Sequence, residues 1–247
     1  MKTALKIFLL VAICGYLVFA LTKLARPAEE LTCKAIDISI SDSLSPVRFV
    51  TEEYVYGILS QNKVYAEGQK LSNIHLDEIE QILTEDPYIR TASCYCTASS
   101  HLSIDITPEQ PVLHVMTDKE DYYLDVQGSI MPIGDFNIDL CIATGNISKQ
   151  FATDYLIGLA SYIHESELWD SQIEQIHVND SAHVELFPRV GGQTIMLGTV
   201  DDYERKLRNL EAFYKKGLSL VGWNKYTQID LSYRDQVICK KKETSKH

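Results

Sequence analysis

The hydrophobic pattern changes character along the chain. Residues 7–21, IFLLVAICGYLVFAL, form an apolar run without a charge, and Thr22 extends it. A membrane-spanning helix needs about 20 residues. Leu5 and Leu24 flank the run across single lysines, and Lys6 and Lys23 can snorkel to the interface, so Leu5–Ala25 is long enough to span. Three readings fit the segment. It is a signal anchor, a signal peptide cleaved near Val18-Phe19-Ala20, or a lipoprotein signal using Cys14. Ile13 is large for the position before a lipidated cysteine, and the span length favours the anchor. All three export the remaining chain, with Lys2 and Lys6 holding the N-terminus in the cytoplasm.

After a linker at 27–32, the periods alternate between strand and helix. Residues 33–40 alternate polar and apolar positions, the pattern of a half-buried strand. Ser45-Pro46 marks a break. Thr51 followed by Glu52 and Glu53 starts a helix that carries Tyr54, Val55, Ile58 and Leu59. A second helix, about 76–83, places Leu76, Ile79, Ile82 and Leu83 on one face and ends at Asp86-Pro87. Strands at about 89–96 and 102–106 follow, joined by a polar turn at 98–100.

From Pro111 onward the pattern is mostly β. Strands are expected at 112–116, 122–126 and 129–132, with Gly128 supplying the positive φ of a tight turn. A helix is expected near 149–163, with Phe151, Tyr155, Leu159 and Ile163 on its buried face. Strands at 173–178, 184–187 and 194–197 come next, the last two joined across Gly191-Gly192. Thr199 and Asp202 resemble a capping box for a helix over about 200–216. Its buried stripe is Tyr203, Leu207, Leu210 and Tyr214, with Arg205, Lys206 and Arg208 facing water. Strands near 226–231 and 236–240 precede a basic tail. The fold class is α+β: a transmembrane helix, a β-α-α-β-β domain, and a mixed β domain with packed helices.

Charge adds a location to this picture. The formal net charge is −11, but residues 1–27 hold four basic residues and no acidic one. The rest therefore has 19 basic against 34 acidic residues, a net of −15. Such a body is unsuited to nucleic acid, which needs clustered Lys and Arg. Candidate chemistry is sparse. His183-Val184-Glu185 matches part of a zinc-deaminase motif, yet no P-C-x-x-C follows. His164-Glu165 ends a helix, where a cation is favoured. Cys94-x-Cys96 puts two thiols on one strand face but lacks the second pair of a zinc site. No calcium loop, phosphate cradle or nucleophile elbow occurs. No cofactor, metal or small-molecule substrate is expected, and the residues argue for a binding or scaffolding protein rather than an enzyme.

Four local motifs, in order, resemble the FtsQ/DivIB family of division proteins. Asp86-Pro87-Tyr88-Ile89-Arg90-Thr91-Ala92 is similar to the entry into the family's second POTRA strand. Leu102-Ser103-Ile104-Asp105-Ile106 with Glu109-Gln110-Pro111-Val112 resembles the next segment, without the family's arginine. The stretch from Tyr123 to Pro132 is similar to a family hairpin with Asp125 and Gly128 in place. Ile229-Asp230-Leu231-Ser232-Tyr233 and Gln236-Val237-Ile238 resemble the family's C-terminus, with Ser232 replacing arginine.

The resemblance implies a cytoplasmic start and signal anchor at 1–26, a POTRA-like domain at 27–108, an FtsQ-like β domain at 109–240 and a tail at 241–247. It implies a non-enzymatic, single-pass inner-membrane protein at the division septum, with its bulk periplasmic. Such a protein links early and late division proteins through FtsB-like and FtsL-like partners, with FtsK as a further one, and helps regulate septal peptidoglycan synthesis. The implied partner contacts are Tyr233, Asp235, Gln236 and Ile238. An edge strand there suits β-augmentation. The alternative is that Tyr233 and Ile238 only pack the sheet. Tyr88 reads as core rather than contact. Other functional readings are a different POTRA-containing envelope assembly or secretion protein, and a secreted hydrolase.

Overall fold

A computed structural model of the chain describes residues 10–20, 31–41, 49–134, 136, 138–218, 222, 225–234 and 236–242. Both flanks of the apolar N-terminal run, residues 27–30 of the linker, the Ser45-Pro46 break, Asp235 and the end of the basic tail lie outside them. Residues 10–20 are helical, and their large apolar side chains are exposed, Leu10 to 65% and Phe19 to 60%. Among the described residues no helix is long and apolar enough to cross a membrane. The chain otherwise divides into two units, one ending at Pro108 and the other comprising Glu109 onward together with a short earlier segment that ends at Phe49.

Among its described residues beyond the N-terminal stretch, the first unit has three strands, two α-helices and a 3-10 turn at Leu71–Asn73: β1 (Ile36–Ile40), α1 (Glu52–Gln61), α2 (Leu76–Thr84), β2 (Ile89–Cys96) and β3 (Leu102–Pro108). The sheet order is β1-β3-β2, with β1 parallel and β2 antiparallel to β3. Thr51 caps α1 as its sequence predicts, accepting the Tyr54 N–H at 3.2 Å. Val55 and Leu59 of α1, and Ile79 and Leu83 of α2, are buried. They share a core with Leu102, Ile104 and Ile106, the alternate residues of central strand β3. Asp86 ends the second helix by accepting the Tyr88 N–H at 3.0 Å and the Tyr54 hydroxyl at 2.8 Å. Tyr88 itself is half-buried, edge-on to Tyr54.

The second unit is one nine-stranded sheet with helices. Its strands are β4 (Pro111–Met116), β5 (Asp121–Asp125), β6 (Ile130–Pro132), β7 (Ile142–Gly145), β8 (Ile173–Val178), β9 (Val184–Pro188), β10 (Thr194–Gly198), β11 (Tyr226–Asp230) and β12 (Ile238–Lys241). They lie in the order β12-β11-β10-β9-β8-β7-β4-β5-β6. Three pairs are parallel: β4 with β7, β7 with β8, and β10 with β11. Helix α3 comprises Lys149–Phe151, a π-helical turn at Ala152–Leu156 and Ile157–His164. Helix α4 is Glu167–Gln172, and α5 is Tyr203–Phe213 with a π-helical turn at Tyr214–Leu218. Buried residues of α3, α4 and α5, including Leu156, Leu159, Trp169, Leu207 and Leu210, form one core with Ile176, Leu186, Ile195 and Ile229 of the sheet. Along β8–β10 the alternate residues remain only half-covered, so one face packs and the other stays open.

Several expectations change here. Strand β7 and helix α4 have no counterpart in the sequence reading. Tyr155 leaves the expected buried stripe of α3 and is 53% exposed. The π-helical turn adds a residue to the helical repeat and moves the buried face to Leu156, Leu159, Ala160 and Ile163. Helix α5 starts at Tyr203 without a capping box, because Asp202 adopts a left-handed φ of 55° and caps nothing with its side chain. Lys206 does not face water: it is 5% exposed, and its Nζ donates to the Thr199 carbonyl at 2.7 Å. Burial lowers its pKa from the ordinary lysine value.

The β5–β6 hairpin explains two residues of the motif around it. Asp125 is fully buried, and its Oδ1 accepts the N–H groups of Gln127 at 2.9 Å and Ser129 at 2.6 Å. Gly128, at φ +84°, makes the positive-φ turn between them. Replacing Asp125 by Ala leaves both turn amides without this acceptor. We expect Asp125→Ala to lower unfolding free energy by about 2 kcal/mol, with Asp125→Asn losing less because it keeps an oxygen. Chemical denaturation measures the loss, and hydrogen exchange should show it first at the hairpin amides.

Candidate interface at the last strand

An open sheet leaves the backbone groups of its outer strands without a ladder partner, which makes each edge a potential docking site. The two sheets have four edges, and three carry a feature that blunts them. At β1, the Tyr56 hydroxyl donates to the Ile36 carbonyl at 3.0 Å. At β2, Thr97 N–H bonds back to the His101 carbonyl across the hairpin, so alternation turns Cys94 outward. That outward Cys94 N–H is taken by Glu80 Oε1 at 2.6 Å. At β6, the strand has only three residues and ends on Pro132, which has no N–H to offer.

Strand β12 is the fourth edge. It pairs with β11 alone, antiparallel, with Ile229 opposite Cys239 and Asp230 opposite Ile238. Lys242 N–H continues the ladder to the Lys225 carbonyl at 3.0 Å. Among the described residues the side-chain bond made to β12 comes from its neighbour, Thr227 to the Lys240 carbonyl at 3.3 Å. The strand contains no proline and no helix-borne side chain caps it within that set.

The turn into β12 is held from both ends. Leu231, 2% exposed, donates its N–H to the Met196 carbonyl, extending the β10–β11 ladder. Asp230 Oδ1 accepts the Ser232 N–H at 2.9 Å and bends the chain out of β11. Gly198, at φ +76°, makes room for Ser232: a side-chain carbon there would come within 2.8 Å of Ser232 Oγ. Tyr233 then stands on the turn, 55% exposed. Val237 packs back on the core, and Ile238 turns away from it, 45% exposed. Gln236 is exposed. Three of the four expected contact residues thus surround the start of one open strand; Asp235 is outside the described residues.

The sequence reading did not gather the four lysines of this edge. Lys240 lies in the last strand as expected, Lys241 belongs to β12 rather than to the tail, and Lys225 and Lys242 continue the pairing beside them. All four are exposed. Among the described residues none forms an ion pair, in a chain whose residues 28–247 have a net charge of −15. The signal was visible as the run Lys240-Lys241-Lys242; its place on a sheet edge was not.

The remaining candidate groups lie apart. Among the described residues no three His, Cys, Asp or Glu side chains gather as metal ligands. His101 pairs with Asp37 at 2.8 Å, His114 with Asp121 at 2.6 Å and His164 with Asp170 at 3.1 Å, each at a different place in the fold. His183 sits exposed before β9. Two cavities of about 150 and 180 Å³ flank residues 62–69 of the first unit. Both are smaller than the 300–1,000 Å³ typical of small-molecule sites. The described cysteines are free thiols.

A family model described as FtsQ/DivIB, C-terminal related, matches residues 110–240. A second, described as a POTRA-like domain, matches residues 31–107. No curated protein matches the chain.

Burial pushes the Cys141 thiol up to about 12, and burial together with Glu80 does the same for Cys94. Thiolates are the reactive form, so both should resist a thiol reagent at pH 8 in the folded chain and react on unfolding. A thiol raised on folding stabilises the native state below its unfolded pKa, near 9, and that contribution disappears as pH climbs toward 12. Thermal midpoints should therefore fall between pH 9 and 12, and fall less in Cys141→Ala.

Proposed function

The chain belongs to the FtsQ/DivIB, C-terminal related family, and from that premise we propose that it is a non-catalytic scaffold of bacterial cell division. In this reading it links early and late division proteins and helps regulate septal peptidoglycan synthesis. Its partners are FtsB-like and FtsL-like proteins, and FtsK is a further one. Residues 1–26 provide the cytoplasmic start and a single inner-membrane anchor, 27–108 the POTRA-like domain and 109–240 the β domain. The exposed apolar side chains of the helical stretch 10–20 support the anchor, since water is a poor surrounding for them. The match over 110–240 is the reason to prefer this role to that of another POTRA-containing assembly or secretion protein, or a secreted hydrolase.

The observation that carries the reading is the open edge of β12, at the end of the family-matched span. A partner segment in extended conformation can add a tenth strand there. Backbone hydrogen bonds supply affinity, while exposed side chains beside the strand supply specificity. Tyr233 is the natural anchor, because a tyrosine brings a large amphipathic surface with few rotatable bonds. Ile238 offers apolar area at the first residue of the strand, and Gln236 and Asp235 offer polar contacts between the two.

Two variants test the interface in the full chain. Tyr233→Ala and Ile238→Glu should each reduce co-purification of an FtsB-like partner by about tenfold or more, equivalent to about 1.4 kcal/mol. Both side chains are about half exposed, so thermal midpoints should stay close to that of the parent. Undiminished binding by both variants would place the interface elsewhere. Depletion in the native bacterium should give filaments with unconstricted septa; normal division would refute the role.

A further inference from the structure

Building on the edge reading above, the lysines of β12 specify the chemistry of the strand that it accepts. The two faces of the edge differ. Cys239 lies opposite buried Ile229, so it belongs to the row that faces the core. Ile238 and Lys240 lie opposite Asp230 and Gln228, on the open face. Lys242 follows Lys240 by two residues and thus continues its row. An added strand would set alternate side chains beside these two rows.

We propose that β12 recognises an extended acidic segment in which carboxylates alternate with apolar residues. The carboxylates would lie beside Lys240 and Lys242, and the apolar residues beside Cys239 and the aliphatic stem of Lys241. Lys225, at the far end of the ladder, adds to the same field. Two observations favour this partner. The lysines have no carboxylate partner among the described residues, so docking would supply counter-charge rather than break existing pairs. They also stand on a chain whose residues 28–247 carry a net charge of −15, so this edge is a local cationic exception in an acidic sequence. The same charges discourage pairing with the β12 of a second copy, because lysine would face lysine. One row of lysines thereby rejects self-association and selects an opposite partner, the two halves of specificity.

The test uses the full chain in an uncharged detergent and three labelled ten-residue peptides. Each alternates valine with one polar residue: glutamate, glutamine or lysine. Fluorescence anisotropy should show the glutamate peptide binding about tenfold tighter than the glutamine peptide at about 0.05 M salt, and the lysine peptide weakest. The advantage should shrink to about threefold or less at about 0.5 M salt, where the Debye length is only about 4 Å. The triple variant Lys240→Gln, Lys241→Gln, Lys242→Gln should remove the advantage and leave glutamine-peptide binding and the thermal midpoint unchanged. Equal binding of glutamate and glutamine peptides, both lost in Cys239→Pro, which removes an outward-facing amide, would overturn the charge inference and leave the edge reading standing. Failure of all three peptides and of an FtsB-like partner would remove the edge reading itself. Lysine-dependent binding to phosphatidylglycerol vesicles, with no binding of the glutamate peptide, would overturn the proposal in favour of a lipid surface.

Discussion

A flat array of strands cannot satisfy all its own backbone groups. Every interior strand is bonded on both sides, and each outer strand keeps a row of donors and acceptors that only water or another chain can meet. This constraint organises the molecule. Helix-borne side chains, Tyr56 and Glu80, take up part of the two edges of the small sheet. Shortness and a terminal proline limit β6. At β12 these devices are replaced by charge. Charge differs from the others in kind, because it closes the edge to some strands and opens it to others.

The placement of β12 follows from the packing behind it. Strand β11 is fixed by its parallel pairing with β10 and by Ile229 in the core. The chain then has one short turn in which to reverse, with Leu231 buried before it and Val237 packed after it. Between those two anchors Tyr233 is held outward. Exposure of a large aromatic side chain on so constrained a turn costs little conformational entropy on binding, since the backbone that bears it is already ordered.

Much of this was legible in the sequence wherever a local rule acts alone. Thr51 caps a helix because its hydroxyl reaches the amide three residues on, and Gly128 turns because it tolerates positive φ. The β-α-α-β-β order of the first unit could be read from period and punctuation. What escaped depends on distant partners or very short elements. Strand β7 has four residues between two parallel neighbours, with Ala143 alone buried, too few to display an alternation. Helix α4 has six residues, too few to display a helical period, yet it buries Trp169. Lys206 looks like a solvent-facing cation until the Thr199 carbonyl is brought beside it. The candidate site shows the same division. Tyr233, Gln236 and Ile238 stood out by motif, whereas Lys241 and Lys242 read as a tail because nothing local reveals that they continue a sheet.

A four-residue strand offers few hydrogen bonds, each with a net contribution of about 0.5–1.5 kcal/mol. In free solution that is a weak interface. For an anchored protein the arithmetic changes. Two single-span partners confined to one membrane meet at an effective concentration that a short linker raises to about the millimolar range, so the second contact need not be strong by itself. Modest edge affinity is then an advantage, because assembly requires both tethers and a matching strand and can be reversed when either is withdrawn. In the anchored reading proposed above, membrane confinement would supply the encounter, and the charge pattern of β12 would decide which encounter persists.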